Sequence, residues 1–210
     1  MGVVGNQNPW WNDVLENGPA STYATWFDIA WQSSPRPELH NRLLVPILGD
    51  PYGKALESGQ LRLEFAAGAF SIHYFDHVFP VSPCTYGMVL GLRPDELKAA
   101  LGDDSPPAVE YLSILSAVGH LPGRTETDPA KVAERQREKE VIKRRLATLT
   151  AENDKVREFI EGNIALLNGK PGDAPSFNLL DKLLDAQAYR LSFWRVASDE
   201  INYRRFFDIN

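Results

Sequence analysis

Apolar and polar residues alternate with period two in one central stretch of the chain. Leu61, Leu63 and Phe65 alternate with Arg62 and Glu64. After Ala66-Ala67-Gly68-Ala69, Phe70, Ile72 and Tyr74 alternate with Ser71, His73 and Phe75. Period two on both sides of a short glycine-containing turn predicts a β-hairpin. Two shorter runs also read as strands. LLVPIL at 43–48 contains Pro46, which removes a ladder donor and predicts an edge position. Near the end, Tyr189, Leu191 and Phe193 alternate with Arg190, Ser192 and Trp194.

The remaining apolar spacing is helical. Pro9 opens a segment over 9–16 that Asn17-Gly18-Pro19 stops. The aromatic stretch STYATWFDIAW follows, with Ser21 or Thr22 as candidate cap, and 31–42 reads as loop. Pro94 starts a helix that Gly102 closes, and Pro107 starts an apolar helix to about Leu121. Asp128-Pro129 provides a cap and a first-turn proline for a charge-rich segment to about Leu167. There Val132, Ile142, Leu146, Leu149, Val156, Ile160, Ile164 and Leu167 recur at helical spacing, which predicts two antiparallel helices breaking near Thr150. GKPGDAP at 169–175 is a linker, and Ser176 is the predicted cap of a helix bearing Leu179, Leu180, Leu183 and Leu184. The order predicts an α+β fold with helix dominant, which by itself forms no closed (β/α)₈ barrel.

Composition narrows the function classes. The chain has 210 residues, 43% hydrophobic and 24% charged, with a net charge of −6, enough for one core or a core with a satellite and unlike a disordered chain. A net negative charge disfavours non-specific nucleic-acid binding and anionic membranes. Apolar runs fall short of a membrane span, and no basic region leads into an apolar N-terminal stretch. Cys84 is the one cysteine, so an intrachain disulfide is impossible. A cytoplasmic protein with an inert thiol is the default reading. No phosphate loop, HExxH or nucleophile elbow occurs. His73 and His77 would share a face if both lay on one strand, but they lack a third ligand, so neither a metal nor a cofactor is expected. Within 131–161 the apolar positions are too sparse for a strict coiled-coil seam, and a solvated helix pair is the favoured reading.

Aromatics crowd both ends: Trp10, Trp11, Tyr23, Trp26 and Trp31, then Trp194, Tyr203, Phe206 and Phe207. Chain ends are usually polar and loose, so these rings want partners, and the chain reads as part of something longer. Sugars present flat C–H faces to rings and hydroxyls to Asp, Asn and Arg. Composition alone favours the other reading, a core cluster joining the two ends. A pair of carboxylates flanking a glycosidic bond would define a hydrolase or transglycosylase. Asp28, Asp199, Glu200 and Asp208 are available, and spacing does not select among them.

NPWWNDVLENGPASTYATWFDIAW at 8–31, LLVPILGDPYGKALESGQLRL at 43–63 and LLDAQAYRLSFWRVASDEINYRRFFDIN at 183–210 resemble the maltooligosyl trehalose synthases, α-amylase-like glycoside hydrolases. The last stretch, ending DEINYRRFFDIN, carries the resemblance furthest, and the middle, about 85–175, has no matching motif. The resemblance implies a (β/α)₈-barrel parent with a large excursion after its third strand. This chain would be that inserted domain, divided into an aromatic-rich α+β part with the hairpin (1–84), a helical insertion (85–175) and a return toward the barrel (176–210). The family's Asn-His and Gly-x-Arg-x-Asp-His motifs do not occur here, so no catalytic residue is expected, and Asp208 is not the nucleophile. The implied parent converts the reducing-end α-1,4 bond of a maltooligosaccharide to α,α-1,1. Trp10, Trp11, Tyr203, Arg204 and Arg205 adjoin the junctions with the barrel and are the expected substrate-binding residues. The expected partners are a maltooligosaccharide in the full enzyme, the rest of the barrel, and a second copy if the terminal aromatics are exposed. A free-standing carbohydrate-binding module and a helical interaction protein are the alternatives.

Overall fold

The computed structural model describes residues 8–32, 36–197 and 201–203. Its elements in chain order are α1 (Pro9–Asn17), β1 (Leu43–Leu48), α2 (Tyr52–Glu57), β2 (Leu61–Ala66), β3 (Ala69–Tyr74), β4 (His77–Pro80), α3 (Gly87–Leu90) and α4 (Pro94–Leu101). They continue as α5 (Pro106–Gly119), α6 (Pro129–Glu152), α7 (Asp154–Leu167), α8 (Asn178–Asp185), β5 (Tyr189–Phe193) and α9 (Trp194–Ala197). The fold is α+β with helix dominant.

The hairpin forms in the expected register, with Leu61 opposite Tyr74 and Ala66 opposite Ala69. Its turn takes positive φ at Ala67 (49°) and Gly68 (80°). Gly68 is required twice over, because a Cβ there would sit 1.9 Å from the Lys143 carbonyl oxygen of α6. The hairpin tip is therefore pressed against helix backbone. A third strand, β4, continues the sheet through a tight turn at Phe75-Asp76. Its four residues, HVFP, are too short for alternation to reveal. This turn also separates His73 from His77. His77 lies opposite Tyr74 and His73 opposite Val78, which puts the two histidines on opposite faces.

β1 pairs in parallel with β5, Leu43 opposite Tyr189 and Leu48 opposite Phe193, with the register shifting between Pro46 and Leu48. In a two-stranded sheet both strands are edges, which is where a proline is tolerated. β5 ends at Phe193, and Trp194, expected in the strand, instead begins α9.

The charged segment breaks at Asn153, whose side chain accepts from Val156 N at 3.0 Å. The pair is not merely solvated. α6 packs on α5, α7 and β3, with Ile142 and Leu146 in the core and Arg135 and Lys139 almost fully buried. Two capping expectations differ from the structure. Ser21–Ala30 holds a single 3₁₀ turn at Ala24–Trp26 rather than a helix. Ser176 does not cap α8; its hydroxyl donates to Asp173 O at 2.6 Å and accepts from Lys170 N at 2.8 Å, closing the preceding loop. A contiguous core runs from Trp11, Val14 and Leu15 through the hairpin and α3–α8 to Leu191 and Tyr203.

Candidate functional site

Asn8 starts α1, its side-chain oxygen accepting from Trp10 N (3.1 Å) and Trp11 N (3.2 Å), and Pro9 takes the first helical position. Successive helical residues diverge by about 100° around the axis, so the two tryptophans face different surroundings. Trp11 points inward and is 4% exposed. Its ring meets Phe27 edge-on at 5.1 Å and Tyr203 at 5.1 Å. Trp10 points outward. It lies 5.5 Å from Trp26 and 6.5 Å from Tyr23, and those two meet edge-on at 5.0 Å. Trp26 is 59% exposed.

Tyr203 is held by the chain on either side of it. Residue 203 forms an antiparallel bridge with Ile29. Ala30 N donates to Asn202 O at 2.7 Å. The Asn202 side chain accepts from Leu44 N at 3.0 Å and donates to Arg42 O at 2.7 Å. The side chain of Asn202 thus serves the start of β1 while its backbone carbonyl serves Ala30, and the two together join the first and last described segments. Of the five expected site residues, Trp11 and Tyr203 are brought together, but in the core. Trp10 stands on the surface. Arg204 and Arg205, like Phe206, Phe207 and Asp208, lie outside the described residues.

A third face of α1 is ionic. Asp13 and Glu16 meet Lys139 of α6 at 2.9 and 2.7 Å, and Lys143 also pairs with Glu16. Burial pulls the Lys139 ammonium down, but Glu16 and Asp13 outweigh it and hold its pKa above the ordinary lysine value. Asp13 also accepts from the Ser21 hydroxyl at 2.6 Å, and that hydroxyl accepts from Tyr23 N at 3.0 Å. The ion cluster therefore fixes the turn that carries Tyr23 and Trp26. Nearby, Arg135 donates to Asn17, Ser82, Pro122 O and Cys84 Sγ, so the thiol sits inside a structural network. Sequence spacing gave no sign of these long-range ion pairs.

A groove of about 970 Å³ lies elsewhere, between β2 and the α6–α7 pair, lined among others by Arg62, Glu64, Phe65, Arg157, Glu161 and Asn168. Several of its polar groups serve the fold. Asn168 both accepts from Leu63 N (2.7 Å) and donates to Leu63 O (2.9 Å), mimicking a neighbouring strand, and Arg157 is tied to Asp154 at 2.6 Å. None of the expected site residues lines it. Among the described residues no group of three or more His, Cys, Asp or Glu side chains is placed to hold a metal, and no helix is long and apolar enough to cross a membrane.

Compared with known proteins, the chain is similar over 71 residues, at 37% identity, to proteins of two Mycobacterium tuberculosis strains, CDC 1551/Oshkosh and ATCC 25618/H37Rv, provisionally named maltooligosyl trehalose synthase. The matched stretch covers 30% of this chain and 9% of each relative. No family model and no solved structure matches.

Proposed function

We propose that this chain is a domain of a maltooligosyl-trehalose-synthase-type enzyme, inserted in a catalytic barrel and covering its cleft. The observation that carries this reading is the 37% identity over 71 residues to the mycobacterial proteins of that name. The fold is compatible with insertion. Ile29 bridges Tyr203, and Trp11 packs on Tyr203, so the first and last described segments lie together, which supports this reading because an inserted domain has such an arrangement.

In this reading the chemistry belongs to the parent's carboxylates. One forms a glycosyl-enzyme as the α-1,4 bond breaks, and the released glucose attacks it through its own anomeric hydroxyl in place of water. Retaining that glucose requires a cover that excludes solvent, and such sites lie at the open face of the barrel. This chain supplies the cover. Arg204 and Arg205, which follow Tyr203 in the sequence, are this reading's candidate donors to sugar hydroxyls or barrel carboxylates.

The test compares two proteins with maltopentaose. The 210-residue chain alone is expected to leave its reducing ends intact. The product of the whole reading frame that contains the chain is expected to remove them without a matching release of glucose. Conversion by the chain alone, or intact reducing ends with the whole product, would sink the reading.

A further inference from the structure

We infer that Trp10, Tyr23 and Trp26 form a stacking platform for an α-linked glucan, a site in which Tyr23 and Trp26 are new members. The assignment of an α-glucan rests on the proposed function, whereas the platform rests on geometry.

Three features point to a saccharide. The rings touch one another, at 5.0 to 6.5 Å between centroids, with Trp26 exposed, Trp10 half-buried and Tyr23 resting on the core edge. The Trp10 and Trp26 indole N–H groups and the Tyr23 hydroxyl have no hydrogen-bond partner among the described residues. Each ring thus pairs an apolar face with an unused polar atom, the combination that a pyranose, with its C–H face and equatorial hydroxyls, requires. Finally, no cation covers any of the three rings among the described residues. The other exposed tryptophan, Trp194, has the Arg195 guanidinium 5.3 Å from its ring. A neutral ligand fits the triad.

The ring angles bear on the linkage. Interplanar angles of 45°, 58° and 79° mean that the three rings are tilted to one another and form no flat shelf. A β-1,4 chain is a flat ribbon and stacks on coplanar rings, whereas an α-1,4 chain curves and presents successive sugar faces at an angle. Asp13, Ser21 and the ion pair to Lys139 hold the turn that carries Tyr23 and Trp26, and a turn held in place limits the entropy lost on binding.

The test is a titration of the 210-residue chain with maltopentaose and, separately, with cellopentaose, read by the indole N–H resonances. Maltopentaose is expected to move Trp10 and Trp26 and leave Trp11 unchanged, with cellopentaose about tenfold weaker. Trp26→Ala is expected to weaken maltopentaose binding about tenfold, and Trp194→Ala to leave it unchanged. The inference is overturned if maltopentaose moves neither indole, if both sugars bind alike, if Trp26→Ala binds as the parent chain does, or if sedimentation shows a dimer that covers the triad. A whole reading frame that isomerises maltopentaose while Trp26→Ala binds normally would remove the platform and leave the proposed function standing.

Discussion

Trp10 and Trp11 are adjacent in the chain, share one helix cap and have opposite surroundings. Trp11 joins Phe27 and Tyr203 and helps fasten the last described segment to the first. Trp10 joins Tyr23 and Trp26 on the surface. One residue of helical rotation separates a structural cluster from a candidate binding surface. An excess of aromatics at a chain end is therefore two features, and only the helical phase divides them.

The comparison predicts unequal costs. The largest is at Trp11, where alanine leaves a cavity against Phe27 and Tyr203 and removes a link between the ends. Trp11→Ala is expected to destabilise the fold by about 3–5 kcal/mol, lowering the thermal midpoint by roughly 10 °C in a chain of this size. A loss below about 1 kcal/mol would mean that Trp11 is not the inner member of the pair.

Much of the inner cluster's setting was legible because it rests on local signals. Asn8-Pro9 and Asn17-Gly18-Pro19 bracket α1, and period two marked the hairpin. Pro46 told that β1 is an edge. The illegible parts depend on partners distant in sequence. β4 is four residues long and is identified by pairing with β3. Lys139 reads as one more charge on a solvated helix, yet Asp13 and Glu16, more than 120 positions away, draw it into a buried cluster. The surface triad shows the same limit. Trp10 was picked for its nearness to a junction, while Tyr23 and Trp26 were placed in an expected helix. A 3₁₀ turn fixed by Ser21 and Asp13 turns both toward Trp10. For Arg204 and Arg205 the structure supplies no placement.

The next expected effect tests how the ends are joined. Asn202 is 8% exposed, and its side chain satisfies both Leu44 N and Arg42 O. Truncation strands a donor and an acceptor at the edge of β1. Asn202→Ala is expected to cost about 1–3 kcal/mol. Hydrogen exchange at Leu44 should accelerate more than at Leu63, which Asn168 protects independently. Equal acceleration at both amides would mean that the segment's return contributes to global stability and not to the local seam, weakening the contrast between inner and outer clusters.

The smallest expected effect lies at the outer cluster and is diagnostic because it is small. Trp26 is more than half exposed and, among the described residues, its ring meets two others, both themselves partly solvated. Its removal opens no cavity, because water already reaches the space it would leave. Trp26→Ala is therefore expected to change unfolding free energy by no more than about 0.5 kcal/mol, measured by denaturant midpoint at constant slope. A loss approaching that of Trp11→Ala would mean that the triad is a second structural staple, and the distinction drawn between neighbouring tryptophans would fail. A near-neutral result beside a costly Trp11→Ala would show that the fold does not need the outer rings. Their mutual arrangement, held by the ion cluster on α1, would then be free to serve binding.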